Sequence, residues 1–64
     1  MPIVEIHLLE GRDVVKKRLL VKKVTEAVCE TLGSKPEKVR VILNDMQHHD
    51  YAVGGVLHCD ESAG

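Results

Sequence analysis

Two short aliphatic runs, Ile3–Leu9 and Val39–Leu43, bracket a longer segment whose apolar residues recur at helical spacing. That alternation limits the fold more than any other feature of the chain. In the first run, Val4, Ile6 and Leu8 share one strand face, and Ile3, Glu5, His7 and Leu9 share the other. The second face is mixed, which suits contact with a neighbouring subunit better than contact with water. From Val14 to Leu32 the apolar stripe is Val14, Val21, Val24, Ala27, Val28 and Leu32, with Leu20 at its edge. Asp13 is placed to cap the amino end of this helix, and Gly33 to close its carboxyl end in a left-handed conformation. Lys22, Glu26 and Glu30 take the opposite side, where Lys22 and Glu26 are spaced as an i,i+4 pair. Leu19 falls on that polar side too, which points to a subunit contact. Strand, helix and strand in this order make a β-α-β unit with parallel strands.

The remaining segments are shorter. Ser34-Lys35-Pro36-Glu37 has the spacing of a capping box and predicts one helical turn before the second strand. Asn44 to Asp50 reads as a polar connection. Tyr51-Ala52-Val53 and Val56-Leu57-His58 flank Gly54-Gly55, the pattern of a two-residue hairpin turn. Residues 58–64 read as a small, acidic, mobile tail. The expected architecture is therefore α/β: one domain over residues 1–64, a small β-α-β unit plus a carboxyl-terminal β-hairpin.

At 64 residues a lone chain buries too little surface for comfort. Chains this short usually add disulfides, a metal or self-association. Two cysteines, Cys29 and Cys59, allow one bridge but no framework of them. With 44% hydrophobic residues and Tyr51 as the single aromatic, the core must be aliphatic, which leaves oligomerisation as the favoured stabiliser. No signal peptide or membrane-length apolar run is visible, so a reduced, cytoplasmic protein is expected. A net charge of -1 argues against a nucleic-acid binder, which carries a basic excess.

Chemistry concentrates at the amino end. If Met1 is removed, the Pro2 nitrogen becomes a secondary amine with its ring holding it in place. Free α-amino groups titrate at about 7.7 to 8.0 in model peptides, and an apolar setting disfavours their charged form. Such a group can serve as a general base. Arg12, after the Gly11 turn, and Arg40, inside the second aliphatic run, are fixed cations suited to carboxylates. Each has a plainer reading: Met-Pro as an ordinary start, Arg12 as a solvated loop charge, Arg40 as an edge charge or interface ion pair. His48, His49 and Asp50 are adjacent and cannot easily aim at one ion, so they read as solvated loop residues and not a metal site. His7 reads as a strand or interface residue. The cysteines have no obvious activating partner.

Taken in order, Met1-Pro2-Ile3, Leu9-Glu10-Gly11-Arg12, Val39-Arg40-Val41 and Tyr51-Ala52-Val53-Gly54-Gly55 resemble the 4-oxalocrotonate tautomerase family. The likeness runs in register from Met1 to about Leu57. It implies an isomerase without metal or cofactor, assembled usually as a homo-hexamer, in which the amino-terminal proline is the general base. Carried over, Pro2 is the base and Arg40, from another subunit, polarises the carbonyl or enol oxygen. Arg12, from a neighbour, holds the far carboxylate of the substrate. Leu9, Val53 and Tyr51 line the apolar wall, with Tyr51 standing where the family has phenylalanine. The implied reaction is keto-enol tautomerisation of a 2-hydroxy-dienoate or related enol carboxylate. Two other readings stay open at this point. One is hydration or dehalogenation of unsaturated acids, with the proline as an acid. The other is a non-catalytic oligomer that binds small carboxylates.

Overall fold

The computed structural model describes residues 2–61. Strand β1 (Ile3–Leu9) leads into helix α1 (Val14–Leu32), then strand β2 (Arg40–Met46), and last a hairpin of β3 (Ala52–Val53) and β4 (Val56–Leu57). Short 3-10 turns at Pro36–Lys38, His48–Asp50 and His58–Asp60 join or flank these elements. β1 and β2 pair in parallel from Ile3 opposite Arg40 to Leu9 opposite Met46. β3 and β4 pair antiparallel, Ala52 opposite Leu57 and Val53 opposite Val56.

The helix ends where its caps dictate. The Asp13 carboxylate accepts from the Lys16 backbone N–H at 2.8 Å, a bond worth about 1 kcal/mol. Gly33 adopts φ 70° and donates its N–H to the Cys29 carbonyl at 3.0 Å. Only a residue without a Cβ takes that conformation freely. At the hairpin both Gly54 and Gly55 have positive φ, 62° and 85°, as a turn matched to strand twist requires.

Several local expectations need correction. Ser34 does not cap the turn after the helix. Lys35 is the cap residue there and makes no side-chain bond, because Pro36 already supplies helical φ at the first position. The second strand runs three residues further than its aliphatic run, through Asn44, Asp45 and Met46. Cross-strand bonds carry this extension: the Asn44 amide donates to Glu5 at 2.9 Å, and Glu10 N–H donates to the Met46 carbonyl at 2.7 Å. On the helix, Leu20 lies within the half-buried side, alongside Lys17, Val21, Val24, Thr25, Val28 and Cys29, while Val14, Ala27 and Leu32 are exposed. Glu26 faces Lys23 at 3.7 Å and not Lys22, since three residues subtend a helix turn as well as four. Residues 58–60, expected in the tail, wind into a turn; of that tail, 62–64 lie outside the described residues.

What the described residues lack is an interior. None is buried, and the accessible surface is 5013 Å². A folded chain of this mass ordinarily exposes about 4100 Å². The radius of gyration is 15.1 Å, against about 11 Å for a compact domain of this length. Val4, Ile6 and Leu8 turn toward the helix and are half-buried, while Ile3 and Ile42 on the other sheet face are 56% and 46% exposed. A parallel pair open on one face departs from the rule that such sheets are covered on both. Leu19, on the outer side of the helix, is also exposed. No helix among the described residues is long and apolar enough to cross a membrane.

Candidate active site

The six candidate residues fall at two ends of the parallel pair. Pro2 and Arg40 lie at the amino end. The Arg40 backbone N–H donates to the Pro2 carbonyl at 3.0 Å, which pins the proline to the start of β2. Strand alternation assigns Pro2 to the side of Val4, Ile6 and Leu8, whereas Arg40, opposite Ile3, belongs to the exposed side. The Arg40 guanidinium donates to its own Glu37 carbonyl at 3.0 Å and stays exposed to solvent.

Leu9, Arg12, Tyr51 and Val53 belong to the carboxyl end. Leu9 closes β1 opposite Met46. The Arg12 guanidinium donates to the Leu9 carbonyl at 2.9 Å, so the arginine folds back over the strand end. It borders a small pocket of about 260 Å³ with Leu8, Lys16, Lys17 and Leu20. An apolar floor with a cationic rim suits an organic carboxylate. Lys17 is engaged by Asp45 at 2.6 Å, an ion pair that ties α1 to β2. The hairpin is held to this end by the His48 backbone N–H, which donates to the Glu10 carboxylate at 3.2 Å. Tyr51 and Val53 are exposed.

The register from Ile3 to Leu9 separates the two ends by six residue steps, or about 20 Å at strand rise. One chain therefore does not bring its own Pro2 to its own Arg12. A larger groove, about 500 Å³, runs along the helix between Val21, Thr25, Cys29 and Pro36. It touches none of the six candidate residues.

Two groupings escaped the sequence reading. Lys16 joins Arg12 at the small pocket. His48 and His58 come together with Tyr51: the two imidazoles pack edge to face with centroids 5.0 Å apart, and the Tyr51 and His58 rings are 6.3 Å apart. The hairpin pattern held the signal for the second pair. A two-residue Gly54-Gly55 turn sets Ala52 opposite Leu57 and hence Tyr51 opposite His58. Both cysteines are free, Cys29 half-buried and Cys59 exposed. Among the described residues no three His, Cys, Asp or Glu side chains converge as metal ligands would.

A strand-helix-strand unit with a short hairpin, a proline leading the first strand and an arginine at each end of the pair define a class of protein, and comparison with known proteins agrees. The family model described as "Tautomerase enzyme" matches residues 2–60. The chain belongs to the tautomerase family, and its function is of the tautomerase type. It is 51% identical over 61 residues to a probable tautomerase of Halalkalibacterium halodurans, covering 95% of this chain and 100% of that protein. It is also 51% identical over 55 residues to 2-hydroxymuconate tautomerase of Bacillus subtilis, covering 86% and 89% of the two chains. Among solved structures, a 4-oxalocrotonate tautomerase homologue superposes with a TM-score of 0.89 at 44% identity, over 97% of this chain and 98% of that one.

Proposed function

We propose that this chain, once Met1 is removed, is an isomerase that uses Pro2 as a general base on a 2-hydroxy-dienoate or a related enol carboxylate. The observation that carries the reading is the placement of Pro2. It leads β1 and is held by the Arg40 N–H, within a chain whose relatives include a 2-hydroxymuconate tautomerase.

In this mechanism the Pro2 nitrogen takes the proton of the enol hydroxyl. The electron pair moves through the diene, and the ammonium returns a proton to carbon, so no atom is gained or lost. Apolar neighbours and a nearby guanidinium both disfavour the charged amine, which keeps it ready to accept. Arg40 stabilises the negative charge that develops on the oxygen. Arg12 holds the far carboxylate, with Leu9, Tyr51 and Val53 as the apolar wall. Because Pro2 and Arg12 of one chain lie at opposite ends, and Pro2 and Arg40 on opposite sheet faces, each site draws on more than one subunit. The exposed sheet face and the absence of buried residues among those described support a homo-oligomer, which we take to be a hexamer.

The test is ketonisation of a 2-hydroxy-dienoate by the wild type, with intact mass showing whether Met1 is gone. Pro2→Ala and Arg40→Ala should each lose most of the activity. If both keep full activity, the mechanism is wrong. A chain that natively retains Met1 has an amide at Pro2 and excludes the base.

A further inference from the structure

Beside the candidate residue Tyr51, the side chains of His48, His58 and Glu61 gather at the base of the hairpin. His58 is their centre. Its side chain is 34% exposed, close to Leu57 at 37% and Tyr51 at 41%. Its backbone N–H donates to the Tyr51 carbonyl at 2.7 Å, which makes Tyr51 and His58 the cross-strand pair just below Ala52 and Leu57. The two rings lie 6.3 Å apart at 57°. The His48 ring meets His58 edge to face at 5.0 Å. Nδ1 of His58 faces the Glu61 carboxylate at 3.4 Å. The titratable groups around His58 are therefore Tyr51 from the preceding strand end, His48 from the turn before it, and Glu61 from its own side.

We propose that His58 is a positioning residue that holds the Tyr51 ring in the wall of the substrate site. This rests on the reading of Tyr51 as a wall residue. A cross-strand aromatic partner restricts the rotamers of an otherwise exposed tyrosine. Glu61, 3.4 Å from Nδ1, and His48, edge to face with the ring, restrict the imidazole in turn.

The chain contains one tyrosine and no tryptophan, so its intrinsic fluorescence reports Tyr51 alone. The fluorescence anisotropy of Tyr51 in the wild-type oligomer should fall in His58→Ala and hold its value in His58→Phe, which keeps a ring against Tyr51. An anisotropy that His58→Ala leaves unchanged overturns the proposal whether or not the protein is a tautomerase. Kinetics supply the second arm. His58→Phe should keep the wild-type KM, whereas His58→Ala should raise KM by about two- to tenfold, the range an aromatic pair is worth, with kcat unchanged. Equal KM values for the Ala and Phe variants, or a loss confined to kcat, refute the positioning role. Absence of any ketonisation by the wild type, with the anisotropy change present, overturns the proposed function and leaves the packing of Tyr51 on His58 standing.

Discussion

The two ends of the parallel strand pair are built differently. At the amino end, backbone geometry does the positioning: one hydrogen bond from Arg40 N–H fixes Pro2, and the register of seven paired residues fixes both. At the carboxyl end, side chains do it. Arg12 reaches back to the Leu9 carbonyl, Glu10 takes the His48 N–H, and His58 packs against Tyr51. On the proposed mechanism the proton-transferring nitrogen has the first kind of rigidity and the carboxylate-binding end the second, and each end is half of a site, which accounts for solvent reaching both in a single chain.

Substitutions at the two ends should therefore fail in different ways. The largest effect is expected for Pro2→Ala, a fall in kcat of about 10²- to 10⁴-fold, the usual contribution of a positioned base. Arg40→Ala should follow, with kcat down about 10²- to 10³-fold, the cost of removing one donor to a developing oxyanion. Steady-state assays on an enol dicarboxylate measure both. Arg12→Ala belongs to the binding end and should raise KM about ten- to a hundredfold, as expected for a lost charged hydrogen bond, while kcat holds within a few-fold. A kcat loss for Arg12→Ala equal to that of Arg40→Ala would erase the distinction between the ends. The smallest effect concerns the frame. Asp13→Ala should cost about 1 kcal/mol of stability per chain without altering kcat, measured by denaturant unfolding at fixed protein concentration.

The frame was largely legible in the sequence. Val14–Leu32 has its cap residues at both ends, and the Gly54-Gly55 pair leaves one hairpin register. The extension of β2 through Asn44 and Asp45 was not legible, because polar residues join that strand through partners on β1 that no local pattern names. Which helix residues face the sheet was only partly legible. Val14 and Leu32 fit the helical period but sit at the ends, beyond the reach of the seven-residue strands beneath. For the site, residue types pointed to Pro2, Arg12 and Arg40, and family likeness supplied their roles. Of the cluster of His48, Tyr51 and His58, the pairing of Tyr51 with His58 follows from the hairpin register, but the contact of His48 with His58 was not legible, because the local pattern reads His48 as a solvated loop residue.

The division of the site between chains is tested most directly by mixing two defective proteins. Pro2→Ala and Arg12→Ala chains, unfolded together and refolded at equal concentration, should regain activity at substrate levels where each alone is nearly silent. By random assortment roughly a quarter of the sites then combine an intact Pro2 from one chain with an intact Arg12 from another. Activity no higher than the average of the two separate proteins would mean that each chain holds its own complete site, which contradicts a pocket shared between subunits.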